Sequence, residues 1–495
     1  MIKRYERPEI AEIWSNETKL SLWQKLELTV VWTRTKLGIA PRDVAERIEE
    51  ILISRPIDEG RWLELDKLLR HDLNAFLEER KRHLSPELQM WFHKHMTSFD
   101  TEEAPFATML EESLAVVRAC FARLEQALVQ MANKYRYTIM YARTHGQGAK
   151  AQTHGKRCLT WLVDVRQAIS ALRQACLVLK FSRLSGAVGN YGGLSPELEK
   201  EALASLGFEP YYGATQIMPR ILYAPIAQSL LNLVLQLNKI AMDIRLGSRS
   251  GRPIYQEPFA RVQKGSSAMP HKKNTIVTEQ VEGLARLAKA CALALTENIV
   301  TWEERAIEQS SVERVAWPDL FHIVVRALVV MSEVLEGLRV YPDNMLLELA
   351  ESRGCYASDE AKEWLKELGV NMGLLTEDEC YRIIQLASFD VFAPTPEAQA
   401  IRENPPVSHE QAGQLLVLAR VIYSSPYISI QEIVSQGLLR VSPELAATEE
   451  DVARWNAALQ QIFTSVENQS QWDEIFQPAY LLRHEAVLFK EILGQ

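Results

Sequence analysis

Cysteine is sparse and dispersed: six residues in 495, at Cys120, Cys158, Cys176, Cys291, Cys355 and Cys380, with no CxxC pair among them. That spacing excludes a zinc ribbon or a dense disulfide framework and fits reduced thiols in a cytoplasmic protein. An excess of positive charge is also lacking. With 55 Lys and Arg against 64 Asp and Glu, the net charge of −9 argues against a general nucleic-acid binder and leaves room for a local basic pocket that captures a small anion. The opening MIKRYERPEI has no apolar signal core. The longest uncharged run, residues 221–238, carries Pro225, Gln228, Asn232 and Gln236, so it reads as a buried helix, and no membrane span is expected. Internal repeats and low-complexity tracts are missing. What is present is an ordinary globular composition, 47% hydrophobic and 24% charged, in a chain long enough for two or three domains.

The middle of the chain has helical periodicity. Leu110, Leu114, Val117, Phe121, Leu124, Leu128 and Met131 alternate steps of four and three, which places them on one face of a helix. Four further stripes follow: Leu162 to Leu179, Leu222 to Ile244, Val277 to Leu295 and Leu320 to Leu338. Helices of roughly 20 to 30 residues, about 30 to 45 Å long, pack at shallow angles into an extended bundle. The expected fold class is all-α, with an N-terminal helical domain at 1–96, the central long-helix bundle at 97–340 and a C-terminal helical domain at 341–495. The last contains a Pro-rich connector around 392–410. Long bundles expose apolar length unless partners cover it, which favours an oligomer over a monomer.

Polar segments interrupt these helices. The stretch KGSSAMPHKKN, Lys264 to Asn274, puts two serines between Gly265 and Pro270 and crowds His271, Lys272 and Lys273 behind them. The plainer reading is a helix-capping turn; the sharper one is an anion site containing a nucleophile or base. A Walker loop is excluded, because His271 precedes Lys272 where a glycine would be needed, and Lys273 follows it where Ser or Thr would. Other polar clusters are RHDLNAF with His71, WFHKHMTSFD with His93, Thr97 and Ser98, ARTHGQGAK with His145, and TWEERAIEQSSVER with Glu304, Arg305, Ser310 and Arg314. His93 and His95 are better read as surface histidines than as a metal pair, since no Cys or acidic ligand set completes them.

Taken together and in this order, the clusters resemble the fumarase/aspartase superfamily and, within it, the adenylosuccinate lyase family. The superfamily signature GSSxMPxKxN is matched by GSSAMPHKKN at every fixed position. RYERPE, RHDLNAF, HKHMTSFD, RTHGQ, Thr215-Gln216 and WEERAIEQSSVERV point to the narrower family; the likeness runs from residue 1 to about 385, after which the C-terminal domain carries an extension longer than the family usually shows. The resemblance implies a three-domain fumarase/aspartase-like fold and β-elimination of adenylosuccinate to AMP and fumarate, without metal or cofactor. A second candidate substrate is the succinyl-aminoimidazole-carboxamide ribotide of purine biosynthesis.

By that resemblance His145 is the general acid, oriented by Glu304, and one of Ser266 and Ser267 is the base, with Ser266 favoured. Lys272 and loop amides would stabilise the serine alkoxide. Thr97, Ser98, Lys272 and Asn274 would hold the succinyl carboxylates. Arg4, Tyr5, Arg305, Ser310 and Arg314 would hold the phosphate, and His71, His93 and Gln216 match further active-site positions. The family builds each site at a junction of three subunits of a homotetramer. The sequence departs from the family pattern at Gly148, Ala151, Ile221–Tyr223, Thr275 and Ala306, which bears on the acid loop and the purine end of the pocket. The alternatives are a sibling fumarate-releasing C–N lyase and an inactive helical scaffold.

Overall fold

The computed structural model describes residues 1–422, 428–442 and 444–494. It divides into two compact units. The parts of the expected C-terminal region at 423–427, 443 and 495 lie outside the described residues.

The first unit comprises Met1–Leu128, Trp161–Arg249 and Tyr255–Arg339. Its principal helices are α1 (Asn16–Lys36), α2 (Asp72–Lys81), α3 (Ser98–Lys134), α4 (His154–Ala175), α5 (Ala224–Gly247), α6 (Ile276–Glu297) and α7 (Glu308–Gly337). Residues 129–134 of α3 and 154–160 of α4 belong to the second unit. Each of the five apolar stripes falls mainly on one of these long helices, with Leu179, Leu222 and Leu338 just beyond the helix ends, so the chain has the all-α architecture read from its periodicity. Leu110, Val117, Leu124 and Leu128 of α3 are buried, as are Leu162 and Val165 of α4, Leu230, Leu233 and Leu237 of α5, and Leu320, Val324, Leu328 and Met331 of α7. Helix α5 packs against both α6 and α7, which also pack together. Burying such a side chain is worth about 1.5–3 kcal/mol, against about 0–1 kcal/mol for an exposed ion pair, so the stripes and not the surface charges hold the bundle.

The segment Arg220–Gly247 is long and apolar enough to cross a membrane, yet 56% of its most apolar window is buried inside the protein. That matches its reading as a core helix. Tyr223, one of the departures from the family pattern, is buried and donates its hydroxyl to Glu103 at 3.1 Å. Arg220 beside it joins Glu103 at 3.0 Å and Glu313 at 2.8 Å in a buried network between α3 and α7. Ile221, by contrast, is exposed.

The second unit comprises Val129–Thr160, Ser250–Ile254 and the chain from Val340 onward. It contains strands β1 (Ile139–Thr144) and β2 (Gln147–Thr153) and helices that include α8 (Pro342–Ala350), α9 (Ser358–Asn371), α10 (Glu377–Asp390), α11 (Glu449–Ile462), α12 (Val466–Ile475) and α13 (Glu485–Leu493). Its core gathers Leu365, Ile383, Val434, Leu459 and Ile475 around Trp472, whose ring lies 5.2 Å from Trp364 and 5.2 Å from Phe476.

The β1–β2 hairpin is the main departure from an otherwise helical reading. The strands pair antiparallel from Ile139 opposite Thr153 to Thr144 opposite Gln147, with a bulge between Tyr141 and Arg143. Only His145 and Gly146 remain for the turn, at φ of 52° and 80°. Positive φ at both central residues gives the twist that a two-residue hairpin needs. Gly148 lets β2 pass close to the Tyr141 ring, which a Cβ would approach to 2.2 Å. Gly148 and Ala151, which replace family positions, are thus ordered strand residues.

Candidate active site

Two helix N-termini meet in the first unit. His71 caps α2, its Nδ1 accepting from the Asn74 amide at 3.4 Å, and its Nε2 lies 3.5 Å from the Ser98 hydroxyl at the start of α3. Asp100 fixes that start: its carboxylate accepts from the Thr97 amide at 2.8 Å while its own amide donates to the Thr97 carbonyl. Thr97 and Ser98 are therefore held at the electropositive end of a 37-residue helix, a natural seat for a carboxylate. His93 sits behind them at φ 63°, its amide and Nδ1 bound to Glu27 of α1 at 3.1 and 2.7 Å. Burial alone would raise the Glu27 carboxyl, but His93 and the Thr101 hydroxyl, 2.6 Å away, hold it below the usual range.

From this corner a polar chain leads to a cluster of cations. Gln216 donates to the Thr97 hydroxyl at 3.4 Å and accepts from Arg305 at 2.9 Å. The Arg305 guanidinium lies 4.4 Å from the centre of the Phe99 ring, and its buried Nε–H has no hydrogen-bond acceptor among the described residues. Arg314 pairs with Asp72 at 2.9 Å and is half exposed. Thr215 donates to the Glu304 carbonyl at 2.7 Å, which ties the Thr215-Gln216 segment to the turn before α7. The Glu304 side chain itself is exposed.

The same cluster contains a carboxyl with unusual protonation. Burial and the nearby Asp72 charge push Glu102 up to about 8, against the opposing pull of Arg314, Arg305 and Lys19. Burial also lowers the Lys19 ammonium, with Asp72 acting the other way. Near neutral pH, Glu102 is thus largely a neutral acid, which leaves the surrounding cations with more unbalanced positive charge than the residue types suggest.

The GSSAMPHKKN loop runs from Gly265 into the start of α6. Its ends are tied by Asn274, which donates to the Gly265 carbonyl at 2.8 Å. A Cβ on Gly265 would approach the Lys272 carbonyl oxygen to 2.1 Å, so only glycine fits where the two ends pass. The Ser266 hydroxyl oxygen accepts from the amides of Ala268 at 3.3 Å and Met269 at 3.1 Å. Ser267, His271 and Lys272 are exposed, while Thr275, another departure, is the residue before α6.

His145 belongs to the second unit, at the exposed tip of the hairpin. Arg4 is exposed; Tyr5 is partly buried beneath the Arg326 guanidinium, 5.9 Å from its ring centre. Ser310 is buried inside α7 and donates to the Ile307 carbonyl at 3.1 Å. Ala306 is partly buried just before α7.

Sequence reasoning gave no role to Glu27, Phe99, Glu102 or Lys19. One signal was available: Glu102 stands four residues after Ser98 at the start of a helix, so the two share a face.

Comparison with known proteins agrees with this scaffold. The lyase family profile matches residues 59–288. A fumarate lyase from Mesorhizobium sp. BNC1 superposes with a TM-score of 0.71 at 20% identity, covering 96% of this chain and 99% of that one. A β-carboxy-cis,cis-muconate cycloisomerase from Acinetobacter calcoaceticus superposes with a TM-score of 0.73 at 19% identity, covering 99% and 98%. These likenesses define the fold of the fumarase/aspartase class of lyases. The adenylosuccinate lyases of Synechocystis sp. and Aquifex aeolicus are each 34% identical to this chain over 385 and 386 residues, in both cases 78% of this chain and 87% of the relative. That of Bacillus subtilis is 30% identical over 385 residues, with the same coverage. The chain belongs to the adenylosuccinate lyase family.

Proposed function

We propose that this chain cleaves adenylosuccinate to AMP and fumarate by general acid/base β-elimination. The observation that carries the reading is the run of polar contacts His71–Ser98, Thr97–Gln216 and Gln216–Arg305, which ends among cations with a buried guanidinium N–H that has no acceptor among the described residues. A substrate with carboxylates at one end and a phosphate at the other fits such a path. The succinyl carboxylates would lie at Thr97, Ser98, Lys272 and Asn274, and the phosphate at Arg305 and Arg314 with Arg4 and Tyr5. Ser310, its hydroxyl engaged by the helix, would contribute by packing more than by direct donation.

In the reaction, Ser266 takes the proton from the succinyl carbon next to the carboxylate. Two backbone amides on its oxygen stabilise the alkoxide this requires. The neighbouring C–N bond breaks, and His145 protonates the departing purine nitrogen, with Glu304 orienting the imidazole. The acid would come from another subunit, and the working form would be a cytoplasmic homotetramer. Apolar surface on the bundle supports assembly: Leu287 and Leu293 of α6 and Met242 and Leu246 of α5 are all exposed in the single chain.

Incubation with adenylosuccinate and chromatography of the products tests the reading. Equimolar AMP and fumarate are expected. Turnover of an argininosuccinate-like or aspartate-like compound instead would assign the site to a sibling lyase, and turnover of nothing in such a panel would favour the scaffold.

A further inference from the structure

We propose that the last helix, α13, acts as a latch on the hairpin that carries His145, with Glu485 as a positioning residue. The proposal rests on the assignment of His145 as the general acid. Within the second unit, the Glu485 carboxylate accepts from the Thr153 amide at 3.1 Å and from the Thr153 hydroxyl at 2.7 Å. Thr153 is the final residue of β2, is 4% exposed, and accepts from the Lys156 amide at 3.0 Å, so it also caps α4. A single threonine thus ends the strand, starts the helix and is gripped by a charged group from the far end of the chain.

Other supports act beside this grip: the His154 amide donates to the Thr138 carbonyl at 2.7 Å and the Gly155 amide to the Tyr135 carbonyl at 2.9 Å, and Met140 of β1 is fully buried. Arg143 pairs with Glu348 of α8 and Lys150 with Asp359 of α9, but both cations are more than a third exposed, and exposed pairs hold little. One turn beyond Glu485, Phe489 is buried under the Arg136 guanidinium, 4.5 Å from its ring centre. Beside it a cleft of about 340 Å³ stays open between Arg136, Ile139, Leu482 and Phe489. Apolar packing therefore covers only part of the hairpin base, and the two charge-assisted bonds to Thr153 join the backbone bonds at 138 and 135 in fixing its angle.

The lever arm makes that angle matter. Six residue steps separate Thr153 from Gln147, roughly 20 Å at about 3.3 Å per residue, and the two-residue turn adds no slack. A tilt of about 3° at the base displaces the tip by about 1 Å, and a misplacement of that size can cost a reaction about 10²-fold.

The test compares Glu485→Ala, Glu485→Gln and Thr153→Val in the full chain by steady-state kinetics on adenylosuccinate and by amide hydrogen exchange. Glu485→Ala should lower kcat about 10- to 100-fold, with KM changed by less than about twofold, and should speed exchange across residues 139–153 but not in α5 to α7. Glu485→Gln keeps one acceptor oxygen, and Thr153→Val keeps the amide donor, so each should fall between Glu485→Ala and the parent. They also serve if the alanine variant does not fold. Unchanged hairpin exchange in Glu485→Ala overturns the latch, and faster exchange with unchanged kcat overturns its role in positioning. If the parent protein leaves adenylosuccinate intact, the functional reading fails while hydrogen exchange still decides the latch.

Discussion

Glu102→Gln separates the charge of one carboxyl from its shape. In the folded chain Glu102 is pushed from 4.5 to about 8, chiefly by burial and by Asp72. Because the folded value lies above the unfolded one, the fold binds this proton more tightly. The associated stability is fully present below about pH 4.5, declines as pH rises, and is lost once pH passes about 8. At 1.36 kcal/mol per unit, the interval from 4.5 to 8 corresponds to about 5 kcal/mol as an upper bound. Glu102 keeps part of its surface in solvent, so about half of that is the working expectation. Glutamine copies the neutral acid in size but cannot ionise. The variant should therefore match the parent near pH 5 and become progressively more stable from pH 6 to 9, as read by urea or thermal denaturation. A second readout follows from the cationic neighbours: the KM for adenylosuccinate should rise above pH 8 in the parent, as Glu102 becomes an anion beside Arg305 and Arg314, and rise less in the variant. A stability difference that is constant from pH 5 to 9 would refute the assignment of the raised carboxyl to Glu102.

Gly265→Ala forces a Cβ against the Lys272 carbonyl and should lower kcat by at least about 10²-fold with the helical content unchanged; wild-type turnover would mean that the loop opens in the working enzyme. Mixing inactive His145→Ala chains with inactive Ser266→Ala chains, after dissociation and reassembly, should restore part of the activity, and no recovery from properly mixed tetramers would place acid and base on one chain. Arg314→Ala should raise the KM for adenylosuccinate and remove most of its advantage over the dephosphorylated nucleoside analogue; an unchanged ratio of kcat/KM values would take the phosphate away from Arg314.

What the sequence disclosed, and what it withheld, follows from how far apart the interacting residues lie. The stripes of α3 to α7 were legible because a helix repeats every 3.6 residues and its buried face is encoded locally. GSSAMPHKKN was legible for the same reason: Asn274 and Gly265 close the loop within a dozen residues of each other. The hairpin was not. Its β2 strand, QGAKAQT, is polar and has only its last residue buried, so no apolar alternation marks it, and its turn is signalled only by His145-Gly146. The charge cluster was hidden more deeply, since Lys19, Asp72, Glu102, Arg305 and Arg314 come from α1, α2, α3 and the segment around the start of α7. No window of sequence contains them all, and protonation of Glu102 depends on that sum. Ser310 adds a further case: the motif supplies a hydroxyl, and in α7 that hydroxyl donates to the Ile307 carbonyl. Motif spacing therefore shows which residue types are supplied to a site, while burial and the charges brought in by other elements decide their working state. Glu102 is the residue on which that distinction can be measured, because its type says anion and its surroundings say neutral acid.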